Sequence, residues 1–193
     1  PILDALYRDE SEYVRRSVAN HLNDISRHDS ALVCEMAAAW LSDGDDNSLK
    51  LVSHALRTRG KRGDPVALGL LGFGSAEVVV DGPTLDRTSI VLGEELLIGA
   101  VVSNRGETPV NLVVDYVVHH VKADGSRTPK TFKISTTTLA PNASLTISKR
   151  HSIKPITTRR YHPGTHAVEL QVNGVRHGFA EFDLLPGRRV LRY

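Results

Sequence analysis

The sequence holds one cysteine, Cys34, in 193 residues. It can form no internal disulfide, and a chain so poor in thiols suits a reducing cytoplasm. Aromatic residues are also scarce, at 5%, so any core must be built mainly from aliphatic side chains. No apolar run approaches the roughly 18 residues of a membrane span, and no basic-apolar-small leader opens the chain. The first residue is Pro1 and the one methionine is Met36, which reads as a piece of a longer protein. A formal charge of +2 is too small to mark a nucleic-acid binder by itself. Against these absences stand 40% hydrophobic and 24% charged residues, a balance that excludes a disordered chain. The length fits one large domain or two small ones.

Composition changes near Gly72. Valine, isoleucine and threonine number 8 in residues 1–74 and 34 in residues 75–193. These β-branched residues lose side-chain freedom in helices and fit strands. The first segment therefore reads as helical and the second as sheet. Charge divides as well: residues 1–74 carry 9 Lys+Arg against 11 Asp+Glu, and residues 75–193 carry 15 against 11. The glycines of Gly72-Phe73-Gly74-Ser75 permit a sharp turn, which places the boundary between domains 1–74 and 75–193.

In the first segment, Asp9 or Ser11 caps a helix to about Ser26 with the apolar stripe Val14, Val18, Leu22 and Ile25. A second helix from Asp29 or Ser30 buries Val33, Met36, Ala37, Trp40 and Leu41, and the polar turn from Ser42 to Asn47 stops it. A third runs from about Ser48 to Gly60 with Leu49, Val52, Ala55 and Leu56 on one face. Asp64 caps a short fourth with Pro65 at its first position, where a missing N–H costs nothing. Paired helices of this length joined by tight turns are the unit that a helical solenoid stacks.

The second segment alternates with the two-residue period of half-buried strands at 77–80, 89–92, 95–103, 110–121, 130–138, 144–151, 165–172 and 176–184. Asn173-Gly174 between two such runs is the strongest hairpin signal, because both residues tolerate positive φ. Seven or eight adjacent strands without helices predict an immunoglobulin-like sandwich. The antibody disulfide and core tryptophan are missing, so the likeness is one of architecture.

Polar residues with chemistry in them gather on two helices. On the first, Arg16, Asn20 and Asp24 recur every four residues opposite the apolar stripe, with Arg15, Asn23 and Arg27 nearby. One reading is an internal ladder of ion pairs such as Asp24 with Arg27; the other is a contact surface. On the third, Lys50, His54, Arg57 and Lys61 form a basic stripe extended by Arg59 and Arg62. Again two readings stand: a solvated face, or a wall that tracks a phosphate backbone. The nine histidines offer no metal pattern. His119 and His120 point to opposite faces of one strand and cannot chelate together. The pairs Arg159-Arg160 and Arg188-Arg189 either extend a path for DNA or solubilise the sandwich. Cys34 has no matched histidine and makes a poor candidate nucleophile.

The run SEYVRRSVANHLNDIS at residues 11–26 resembles the signature of the AlkC/AlkD family of bacterial DNA alkylation repair glycosylases. The run HALRTRGKRGDPVAL at residues 54–68 is similar to that family's next repeat. An AlkC branch with a C-terminal immunoglobulin-like domain matches the order of the two segments. The resemblance implies a HEAT-like superhelix holding duplex DNA in a basic concave groove. It also implies hydrolysis of the N-glycosidic bond of cationic alkylated bases of the 3-methyladenine and 3-methylcytosine type. Such a base is already a good leaving group, so the site needs little acid assistance and no metal or organic cofactor. A carboxylate near the oxocarbenium-like sugar would supply the main stabilisation. On this reading Asp24 is the candidate catalytic carboxylate. Arg15, Arg16, Arg57, Lys61 and Arg62 hold phosphates, and Asn20 orients Asp24 or meets the DNA backbone. The expected protein is a cytoplasmic monomer that takes alkylated duplex DNA as its partner and has no membrane attachment. Part of the repeat array would lie upstream of Pro1. In the family pattern an apolar residue stands where this chain has Arg59-Gly60, so the third helix is expected to fray or turn early. The rival expectation is a non-enzymatic interaction module in which repeats and sandwich bind a protein partner. A relative that binds DNA without chemistry is a third.

Overall fold

The computed structural model describes residues 2–42, 44–157 and 160–186. Arg159, Arg188 and Arg189, singled out above, and Asp43 of the polar turn lie outside the described residues. The chain divides into two compact units, Pro1–Ser75 and Ala76–Tyr193.

The first unit is all helix. A short α1 (Ile2–Leu6), absent from the expectation, comes first. The Trp40 indole N–H donates to Asp4 Oδ1 at 3.1 Å, and Tyr7, just beyond α1, stacks on the Trp40 ring at 4.7 Å. α2 (Glu12–Ile25) starts at Ser11, whose N–H is held by Asp9 Oδ1 at 2.8 Å. It buries Val18, Ala19, Leu22 and Asn23. α3 (Ser30–Ser42) buries Val33, Ala37 and Trp40. α4 (Asp46–Ala55) is capped by Asp45, which accepts from the Ser48 N–H at 2.9 Å. The apolar side chains among these meet in one core, aliphatic except for Trp40.

Two details of the third predicted helix are corrected. Leu49 is 48% exposed, and Leu51 takes its place in the core beside Val52, Ala55 and Leu56. The inward side of α4 follows the line Ser48, Leu51, Val52, Ala55, and Leu49 sits about 200° round the helix from Leu51. Nor does the helix run unbroken to Gly60. It ends at Ala55, turns at the buried Leu56, and restarts as α5 (Arg57–Lys61). The buried Asn23 of α2 stabilises that restart, its Oδ1 accepting from the Thr58 N–H at 3.3 Å. Asn23 thus belongs to the core and not to the polar face. α6 (Pro65–Leu70) follows, with Asp64 Oδ1 accepting from the Ala67 N–H at 2.9 Å and Pro65 in the first turn. No helix among the described residues is long and apolar enough to cross a membrane.

The second unit is a sandwich of two sheets. One sheet has the order β1 (Val78–Leu85), β3 (Glu95–Asn104), β6 (Ser144–Ser152). The other has the order β2 (Ser89–Val91), β8 (Val175–Leu185), β7 (Gly164–Val172), β4 (Val110–Val121), β5 (Arg127–Leu139). Among the described residues, β2 and β8 pair in parallel and the other pairings are antiparallel. Leu96, Ile98, Ala100 and Val102 of β3 face Leu112, Val114, Tyr116 and Val118 of β4 across the core. The β7–β8 hairpin turns on Asn173 (φ 43) and Gly174 (φ 84) as the sequence requires. β1 extends past its expected end. A register shift between Asp81 and Thr84 admits Asp81-Gly82-Pro83 as a bulge inside the strand.

The alternation of β4 sends His119 and His120 to opposite faces. His119 Nε2–H donates to Glu169 Oε2 at 2.6 Å on the outer face, and Arg176 donates to the same oxygen at 2.6 Å. Burial works against the Glu169 charge, but these two donors hold its carboxyl below its ordinary range. His120 lies inward with His151 and His166, ring centres 6.1 and 5.7 Å away.

Candidate nucleic-acid interface

α2 and α4 pack side by side, and polar residues of both helices meet at the joint. Asn20 of α2 and His54 of α4 meet across the joint, where His54 Nε2–H donates to Asn20 Oδ1 at 2.9 Å. Beside this bond opens a groove of about 370 Å³ lined by Glu12, Arg15, Arg16, Asn47, Lys50 and His54, with Ala19 and Leu51 as its floor. Arg16 and Lys50 come from different helices, 34 residues apart in sequence, and share one concave surface. Burial, with the Arg57 and Arg16 charges, pushes the His54 pKa below its ordinary value. The imidazole is therefore neutral at physiological pH and serves as a hydrogen-bonding joint rather than a cation.

The remaining candidates are spread more widely. Arg15 lines the groove, yet its guanidinium also donates to the Asp9 and Glu10 carbonyls at 2.6 and 2.9 Å, clasping the turn between α1 and α2. Arg57 donates to the His54 carbonyl at 2.8 Å, which closes the C-terminus of α4. Lys61 and Arg62 are exposed at the end of α5. Arg59, read as an extension of the basic stripe, turns inward instead and pairs with Asp64, the cap of α6. Asp24 is exposed and carries an ion pair to Arg27 at 3.6 Å. It stands eight residues beyond Arg16, about 12 Å along the helix, and outside the groove lining.

Glu12 is the carboxylate that does line the groove, and the sequence reading passed over it. Its position four residues before Arg16, on the same helical face, is the signal that could have found it. Among the described residues that line the groove, Arg15, Arg16 and Lys50 outnumber Glu12 three to one. The shape and sign suit a polyanion whose charges recur along a chain.

Three comparisons relate the chain to known proteins. Residues 79–186 match the family model described as uncharacterised protein YhaZ, C-terminal Ig-like domain. The uncharacterized protein YhaZ of Bacillus subtilis is 35% identical over 175 residues, covering 90% of this chain and 48% of that protein. Among solved structures, the Pseudomonas fluorescens alkylpurine DNA glycosylase AlkC, bound to DNA containing an abasic site analog, superposes with a TM-score of 0.91. It is 38% identical, and the match covers 95% of this chain and 51% of that one. A mutant β-glucosidase of Listeria innocua in complex with laminaribiose matches at TM-score 0.50 and 15% identity, over 60% of this chain and 17% of that one; this likeness concerns the fold alone. The chain spans about half the length of the YhaZ and AlkC relatives. With the family model spanning most of the sandwich and both relatives aligned through the helices, the chain belongs to the AlkC/YhaZ family.

Proposed function

We propose that the protein acts in DNA repair as a glycosylase that hydrolyses the N-glycosidic bond of cationic alkylated bases. The observation that carries this reading is the convergence of Arg16 and Lys50 on one groove between α2 and α4. It occurs in a chain that superposes on a DNA-bound alkylpurine glycosylase over 95% of its length. The helical unit is read as the HEAT-like end of a solenoid whose concave side holds duplex DNA. Arg16 and Lys50 take phosphates on the groove; Arg57, Lys61 and Arg62 continue the path along α5, and Arg15 adds charge while bracing the turn before α2. Asn20, tied to His54, fixes the spacing of α2 against α4.

The chemistry asks little of the protein. As the glycosidic bond breaks, its electron pair returns to the base and cancels the positive charge of the lesion. The sugar becomes oxocarbenium-like, water adds at C1′, and the proton of that water passes to a carboxylate or to solvent. Asp24 is the proposed carboxylate, with Glu12 the second candidate because it lines the groove. Neither role calls for a metal or an organic cofactor. Lesions of the 3-methyladenine and 3-methylcytosine type are the proposed substrates, and the proposed setting is a cytoplasmic monomer.

A protein-binding module is the rival reading, supported by the ties that fix Arg15, Arg57 and Arg59 within the unit. Salt-titrated binding of a labelled duplex separates the two. Phosphate contacts make affinity fall steeply with salt; a protein-binding solenoid shows no duplex affinity at any salt concentration.

A further inference from the structure

A second basic concavity lies in the sandwich, at the hairpin that joins β4 to β5. It encloses about 490 Å³, within the range of small-molecule sites. Its charged wall is assembled from separate parts of the chain. Lys122 comes from the hairpin, Lys130 from β5, and Arg160 from the segment that precedes β7. Val121, Ala123 and Pro129 give it an apolar side. His120, only 6% exposed, forms part of the lining together with His162.

One carboxylate lines the pocket, Asp124, and its oxygens are already engaged. Oδ1 accepts from the Ser126 N–H at 2.9 Å and from the Ser126 hydroxyl at 2.6 Å, and Oδ2 lies 4.0 Å from Lys122 Nζ. Among the described residues, neither Lys130 nor Arg160 has a carboxylate partner. Three cations therefore share a concave surface with one committed anion, and a low-dielectric wall on one side strengthens their field inside it. A guanidinium and two ammonium groups from three separate parts of the chain suit the oxygens of a tetrahedral oxyanion.

We propose that this pocket binds a phosphate group, seated between Lys122, Lys130 and Arg160, with the organic part of its ester against Val121 and Pro129. The site is separate from the α2–α4 groove and does not rest on the repair reading. Two sources share this chemistry: a free phosphate monoester, or one phosphate of a nucleic-acid backbone.

Backbone amide shifts of the whole chain, followed by NMR during titration, test the proposal with three probes: inorganic phosphate, a nucleoside monophosphate, and a short DNA duplex. Saturable shifts at residues 120–130 and 160–162 are expected with at least one probe. Binding that weakens at least fivefold in Lys130→Ala and in Arg160→Ala, and stays unchanged in the distant Arg105→Ala, supports the site. Saturation by phosphate or the monophosphate identifies the free ester as the source; saturation by the duplex alone identifies the backbone. Absence of saturable shifts there with all three probes overturns it, as does an equal loss in Arg105→Ala. Shifts confined to α2 and α4 leave the repair reading standing and overturn this one.

Discussion

The two units place the same kinds of polar residue on opposite sides of their surfaces. In the helices, Arg16, Lys50 and His54 collect on an open groove, and the core beneath is apolar apart from Asn23, Ser26 and Ser48. In the sandwich, His120, His151 and His166 are buried among Tyr116, Phe132 and Phe182, between the two sheets. A helix exposes a broad polar face at little cost, so its chemistry can point outward and be changed without disturbing the fold. A sheet face buried by a second sheet admits polar groups only where each finds partners. His166 shows how: its Nε2–H donates to the His162 carbonyl at 3.0 Å, and its Nδ1 accepts from the Val121 N–H at 3.5 Å. The helical unit is thus expected to fail by losing its ligand, and the sandwich by losing its fold.

The largest expected effect concerns chemistry. On the proposed function, Asp24→Asn should lower base release from an alkylated duplex by about a hundredfold or more, the scale of a lost electrostatic contact in a transition state. Duplex affinity should be unchanged or higher. Equal loss in Glu12→Gln alone would transfer the role to the groove carboxylate. Next comes the sandwich. At Gly178 (φ +62) an added Cβ would land on the Gly82 carbonyl oxygen. Gly178→Ala should therefore cost at least about 3 kcal/mol, seen as loss of the sandwich's amide dispersion while the helical unit persists.

A smaller effect is expected where the helical unit resembles the sandwich. Asn23→Ala leaves the Thr58 N–H without its partner and should cost roughly 1–3 kcal/mol. Trp40 is the one tryptophan and lies in the helical core, so urea denaturation followed by its fluorescence reports that unit alone. The smallest effect comes from acid. Burial is the main cause that lowers the His166 pKa from the ordinary 6.5, so the native sandwich binds fewer protons there than the unfolded chain. Its stability is then fully present above about pH 6.5 and declines as pH falls through the lowered value. Hydrogen exchange at pH 7.5 and pH 5.5 should show protection falling in β4 and β7; equal protection at both would remove His166 from that role.

Much of the architecture is legible in the sequence because local chemistry and tertiary packing agree. Asp64-Pro65 forms the helix start it suggests, and Asn173-Gly174 forms the turn it suggests. The legible part of the candidate site is the two polar faces, Arg16 with Asn20 on α2 and Lys50 with His54 on α4, because helical periodicity groups each set. What escaped depends on contacts distant in sequence. A basic residue on a stripe gives no sign that Asp64 draws Arg59 inward, or that the Asp9 and Glu10 carbonyls hold Arg15. Asn23 reads as part of the polar face until Thr58 supplies the donor that makes its burial stable. The choice of Leu51 over Leu49 was set by the phase of α4 against α2, which one helix considered alone leaves open.

The central claim is that Arg16 and Lys50 form a phosphate-binding groove. Fluorescence anisotropy of a labelled duplex across a range of salt concentrations tests it directly, comparing the unaltered chain with the Arg16→Ala, Lys50→Ala double variant. The account predicts a linear fall of log affinity with log salt, and a slope shallower by about 2 in the variant, near 0.9 for each phosphate contact removed. An identical slope and affinity in the two proteins would contradict it.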